Sequence, residues 1–253
     1  MEYFFLIDRH LPEGLGIQMY GPEHISWLIA GVIVCIILSM CYWRLGEHGR
    51  MRLARAVALF ILFLELFRIA AQIIAGVFRA DYLPLHLCAL ATVFTVIHAF
   101  KGGRLLDNML YGLCMPSAIA ALVFSDWLQY PVLNIQSIQS FTIHIMLMSY
   151  PIMRMAGGDL RPQAKMLPKC LLLIIAIAIP LFFLNKLLNT NFFFLNWPSP
   201  GSPLEIFAGL WGNPGYIFGI FIIIAVLWLL LYTPVEIISR RTHAEAQRSQ
   251  RTQ

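Results

Sequence analysis

Apolar runs of about 17 or more residues recur along the whole chain, and this recurrence constrains the fold more than any other feature. Seven are read, at about 25–43, 54–78, 83–99, 106–124, 137–154, 168–187 and 215–233. With 59% hydrophobic and 12% charged residues, no long polar stretch remains for a soluble domain. The expected fold class is therefore all-α: a polytopic membrane protein of about seven transmembrane helices. An outer interfacial segment (1–23) precedes the membrane domain (24–233), and a basic cytoplasmic tail (234–253) follows it. The first 23 residues lack the basic start and long apolar run of a secretory signal.

Fourteen of the eighteen Lys and Arg residues fall in the 44–55, 100–105 and 154–169 loops and the C-terminal tail. Arg9, Arg79 and Lys186 fall on the other side, and Arg68 lies within a span. The positive-inside rule then puts the N-terminus outside and the C-terminus in the cytoplasm, as seven spans require. The net charge of +5 is thus topological. Its distribution over separate short loops speaks against a nucleic-acid partner. The expected location is the plasma membrane (a bacterial inner membrane), multi-pass, with membrane lipids as partners and a homo-oligomer left open. Trp27 and Trp43 bracket the first span, roughly 24 Å apart along a helix, close to the spacing of two interfacial belts.

Leu83-Pro84-Leu85-His86-Leu87-Cys88 opens the third span and puts an imidazole and a thiol just inside the bilayer. Ionisable groups at that depth cost free energy and ask for a reason. Pro84 is expected at the first helical position, with His86 and Cys88 in or near the first turn. A helix N-terminus there would favour a thiolate. The other cysteines (Cys35, Cys41, Cys114 and Cys170) are scattered, without a CxxC, and read as small apolar packers.

Spacing groups the remaining intramembrane polar residues. Glu65, Arg68 and Gln72 share one face of the second span, and Glu65 can pair with Arg68. Gln136, Ser140 and His144 share one face of the fifth, and Cys88, Thr92 and Thr95 one side of the third. His86 and Cys88 differ by about 200° on one helix and face apart, so His144 is the better partner for Cys88. Gln72, Cys88 and His144 fall roughly 7–12 Å below the outer boundary, with Glu65 and Arg68 deeper. Asp126 lies in the outer loop 125–135. His98 is expected at the cytoplasmic interface, and Asp107 and Asn108 at a helix cap. The long, aromatic outer loop 188–214 is expected on the membrane surface, either as a lid or as an aromatic belt.

At Leu83–Cys88 the chain resembles the YwaF-type family of bacterial integral membrane proteins. The resemblance extends through Glu65-Leu66-Phe67-Arg68, Tyr111-Gly112-Leu113, Ala118-Ile119-Ala120-Ala121-Leu122, Ser125-Asp126, Phe141 with His144, and Thr190-Asn191-Phe192. More remotely, that family is similar to an animal transmembrane family of cysteine-dependent phospholipid acyltransferases. These place Cys next to His, whereas Leu87 intervenes here. The resemblance implies chemistry on lipid acyl esters.

These readings lead to a lipid-modifying enzyme, an acyltransferase or lipid hydrolase, with its site in the outer half of the bilayer. Cys88 would be the nucleophile and His144 or His86 the base. Arg68, oriented by Glu65, would hold a phosphate or an oxyanion, with Gln72, Ser140 and Asp126 completing the substrate site. No cofactor is implied. A second reading is a non-enzymatic carrier or sensor of a small polar or lipid ligand. A third is a metal or haem site at His86, Cys88 and His144, which no ligand-spaced motif supports. A retinal-type receptor is disfavoured, because the seventh span has no lysine.

Overall fold

The computed structural model of the chain describes residues 3–5 and 14–251, with side chains through Ile238. Residues 1–2 and 6–13 of the expected interfacial segment, including Arg9, lie outside the described residues, as do the side chains of Arg240, Arg241, Arg248 and Arg251. The described residues form helices and no strand. In chain order these are α1 (Pro22–Arg44), α2 (Glu47–Ile74), α3 (Leu87–Lys101) and α4 (Arg104–Met109). They continue with α5 (Met115–Val123), α6 (Ile135–Ala156), α7 (Leu167–Leu188), α8 (Leu204–Gly215) and α9 (Ile217–Arg251). The two-residue turn between α3 and α4 is Gly102-Gly103, with φ of 63° and 123°, values that glycine adopts without steric cost.

The basic turns gather at one end of the bundle. Arg50 Nη1 donates to the Gly157 carbonyl (2.6 Å), and Tyr42 Oη donates to Asp159 Oδ2 (2.8 Å). The Gln163 N–H donates to Asn108 Oδ1 (2.8 Å), and the Ala164 N–H to Glu236 Oε1 (3.0 Å). At the opposite end the Ile135 N–H reaches the Phe4 carbonyl (3.0 Å), and Ile17 reaches Leu128 (2.7 Å). The chain therefore enters the bundle at one end and reaches Glu236 at the other, as an odd number of passes requires.

Among the described residues, six helices are long and apolar enough to cross a membrane. The expected fifth span, α6, is as long as several of them at 22 residues but more polar. It runs alongside α1 from Trp27 stacked on Phe141 to Arg154 bonded to Tyr42, so it crosses the same thickness. Its polarity is tolerable because α1, α2, α3 and α5 all pack against it and wall it from lipid. Small residues allow that approach: a Cβ on Gly31 of α1 would meet Ile145 at 3.0 Å. The outer helices are apolar towards the surroundings instead, as with exposed Ile29, Val32, Ile33, Ile36 and Ile37 of α1.

Three expected elements differ. Pro84 does not start α3. A 3-10 turn (Ala80–Tyr82) and a further bend place it before the helix, His86 is the N-cap, and Cys88 is the second helical residue. The expected fourth span is α4 and α5 joined by a π turn, Leu110–Cys114. Pro116 explains the break: it has no N–H to give the carbonyl four residues back, that of Gly112. Trp228 Nε1 of α9 satisfies that carbonyl instead (2.9 Å). The last span does not stop at 233 either, since α9 continues as helix through Pro234.

The π turn docks α9. Tyr111 Oη donates to the Leu231 carbonyl (2.8 Å), and Tyr232 Oη to Asn108 Oδ1 (3.0 Å). A Cβ on Gly112 would meet Tyr232 Oη at 2.9 Å and Trp228 Nε1 at 3.2 Å. Gly112→Ala is therefore expected to cost about 1–3 kcal/mol of stability, read as a lower thermal unfolding midpoint in detergent. An unchanged midpoint would mean that α9 does not dock through this turn.

Candidate functional site

One face of α2 carries Glu65, Arg68 and Gln72, as their spacing predicts. Arg68 grips Glu65 through two nitrogens, Nη2 to Oε1 (2.6 Å) and Nε to Oε2 (3.4 Å). Its Nη1 donates to Gln72 Oε1 (3.3 Å) and its Nη2 to the Tyr82 carbonyl (3.4 Å). Paired and bonded in this way, two charges can be held inside the bundle. The contact with Tyr82 also ties the 3-10 turn to α2, and this turn leads the chain into α3.

His86 is half-buried at the mouth of α3. Its Nε2 donates to the Asp81 carbonyl (3.3 Å), and its ring meets Phe192 edge-on, with centroids 5.0 Å apart. Cys88 packs against the apolar core shared by α2, α3, α5 and α6, with the Ser117 hydroxyl of α5 in hydrogen-bonding reach. The charges that act on Cys88 are those of Asp126 and Glu65. Asp126, exposed in the loop after α5, acts on His86 and His144 as well.

On α6, Gln139 Nε2 donates to the Leu64 carbonyl of α2 (3.2 Å), and Ser140 Oγ to Gln139 Oε1 (3.4 Å). His144 Nδ1 lies 2.7 Å from the Ser140 carbonyl of its own helix. A carbonyl only accepts, so Nδ1 carries a proton, and in the neutral form of the ring the lone pair is on Nε2. The indole of Trp127 lies flat against this imidazole, with centroids 4.8 Å apart and planes 13° apart. Gln136 is buried at the start of α6, where its N–H is capped by Asn134 Oδ1 (2.8 Å).

The structure thus brings Glu65, Arg68, Gln72, His86, Cys88, Ser140, His144 and Asp126 to one end of the bundle, on α2, α3, α6 and two loops. Sequence reasoning missed Trp127, Gln139, Ser117 and Phe192 there. Phe192 is fully buried rather than part of an aromatic belt, and Asn185 sets its position. Asn185 Oδ1 accepts from the Phe192 N–H (2.8 Å) and Thr190 Oγ1 (3.0 Å), while its Nδ2 donates to the Phe192 carbonyl (2.9 Å). This asparagine in an otherwise apolar stretch, followed by Thr190 and Asn191, was the readable signal.

At the other end His98 is 2% exposed, with Nε2 on Asp107 Oδ1 (2.8 Å) and Nδ1 on Tyr150 Oη (2.9 Å). One expectation is corrected there. Asp107 and Asn108 do not cap a helix: α4 already begins at Arg104, and both side chains serve buried partners. Among the described residues, no three His, Cys, Asp or Glu side chains gather as metal ligands, so the metal reading has no ligand set there.

Removing one partner of the α2 ion pair leaves the other buried and alone. Arg68→Ala is expected to lose about 3–5 kcal/mol of stability, whereas the double change Glu65→Leu with Arg68→Leu stays near wild type. Thermal unfolding of both variants checks this, and a single variant as stable as wild type would refute the structural role of the pair.

Comparison with known proteins adds a family. No curated protein and no solved structure matches the chain. The model of the TMEM164 family matches residues 19–232, from just before α1 into the last turns of the membrane part of α9. With that match over most of its length, this membrane protein belongs to the TMEM164 family.

Proposed function

We propose that the protein is a lipid-modifying enzyme that transfers or hydrolyses a fatty acyl group through Cys88, at a site in the outer half of the bilayer. The observation that carries this reading is the orientation of His144. Its Nδ1–H is committed to the Ser140 carbonyl, its ring is held by Trp127, and its Nε2 is the free basic atom. A base so fixed, at the same end as a thiol near a helix N-terminus, suits nucleophilic catalysis.

In this reading His144 Nε2 takes the Cys88 proton and the thiolate attacks the acyl carbonyl carbon. The ester C–O bond breaks, and the leaving alkoxide takes the proton from His144. The thioester then passes its acyl group to a second hydroxyl or to water, and the thiol is restored. Glu65, Gln72 and the Tyr82 carbonyl occupy most donors of Arg68, so its part is to hold the Tyr82 turn and its charge near the histidines. The basic turns argue for a cytoplasmic face at their end and an outer-leaflet site at the other.

Incubation with an acyl-ester probe is expected to label the wild type through a hydroxylamine-sensitive bond and to leave Cys88→Ala unlabelled and inactive. A labelled, active alanine variant would sink the proposal. One observation favours a second reading, a non-enzymatic lipid carrier: Cys88 packs against an apolar cluster rather than lying open to solvent. A carrier would retain unmodified lipid on purification, lose it in Arg68→Ala and form no covalent intermediate.

A further inference from the structure

Trp127 carries the one buried indole N–H without an acceptor among the described residues. The contrast with Trp228 is direct, since that indole, docked on the π turn, donates to the Gly112 carbonyl. Trp127 is only 8% exposed. An indole nitrogen can donate and cannot accept, and burying it unpaired costs free energy that a membrane interior does not return. Such a group in a native fold asks for an acceptor from outside the chain.

The packing of Trp127 says where that acceptor lies. Phe141 meets the ring at 81° with centroids 5.3 Å apart, and the His144 imidazole covers a face at 13°. The N–H lies in the indole plane, so an oxygen bonded to it sits in that plane, next to the imidazole stacked on the ring. The stacking on His144 is a contact of ring faces and uses no donor.

We propose that Trp127 Nε1 donates a hydrogen bond to an oxygen of a phospholipid, and thereby positions that lipid beside His144. This rests on the reading of the cluster as a lipid site, and it names a contact to that lipid. The acceptor is either an ester carbonyl oxygen or a phosphate oxygen, and the lipid probes separate the two.

The test measures binding alone, in the full-length Cys88→Ala background, so that it stands whether or not the protein transfers acyl groups. Diester and diether phosphatidylcholines with identical chains compete against a fluorescent phospholipid in detergent micelles. Replacing Trp127→Phe is expected to weaken binding about tenfold, the loss of one buried hydrogen bond. Weakening of the diester alone identifies the ester carbonyl as acceptor, and equal weakening of both lipids identifies the phosphate. Unchanged binding of both overturns the proposal. Should the phenylalanine variant misfold, replacing Trp127 by benzothienylalanine keeps the ring size and stacking and removes only the N–H. The same loss is expected with it, and wild-type binding again overturns the proposal.

Discussion

A polar helix cannot face hydrocarbon, and the arrangement of this protein follows from hiding one. α6 brings glutamines, serines, a threonine, a histidine and an arginine into a chain otherwise built to sit in lipid. Interhelical packing in a membrane gains little from the hydrophobic effect, because lipid tails are as apolar as leucine. Close approach and hydrogen bonding must therefore hold α6 in place. Gly31 lets α1 come close, Gln139 bonds the α2 backbone, and Arg154 bonds Tyr42. Once α1, α2, α3 and α5 surround it, the polar side chains of α6 face a protein interior and become available for a site.

The same accounting governs the backbone. Every carbonyl released inside a bilayer must find a donor, and the proline in α5 releases one. Trp228 answers it, and the docking of α9 follows from that answer. At the other end Asn185 does the corresponding work for a loop, supplying both a donor and an acceptor to Phe192. Phe193 and Phe194, with φ of 60° and 54°, are held in a conformation that bulky residues rarely adopt. The strain is tolerated because Phe192, Asn191 and Asn196 are tied around it, and the outcome is an aromatic edge on His86.

Histidines show how far a single residue type can differ in role within one bundle. His24 takes the Tyr20 N–H on Nδ1 and faces the Leu122 carbonyl with Nε2, and is thereby spent on structure. His98 is spent between Asp107 and Tyr150. His144 commits only one nitrogen. Sequence position did not separate these cases: His98, expected at the cytoplasmic interface, is buried, as His24 is. What distinguishes them is which atoms of other helices lie opposite each ring nitrogen.

Periodicity made the helices and their polar faces legible. A residue repeat of 3.6 puts Glu65, Arg68 and Gln72 together whatever surrounds them, and the same arithmetic separates His86 from Cys88. The distribution of basic residues likewise marked the end of the bundle at which the short turns gather. The sequence by itself determined an all-helical chain with long apolar helices fit to cross a membrane, and polar faces on several of them. It did not show the π turn, the buried His98 cluster, the stacking of Trp127 on His144 or the place of Phe192. Those depend on which side chains from distant segments satisfy a particular nitrogen or carbonyl. Only the packed helices decide that, because in a low-dielectric interior each polar atom takes the partner within its reach.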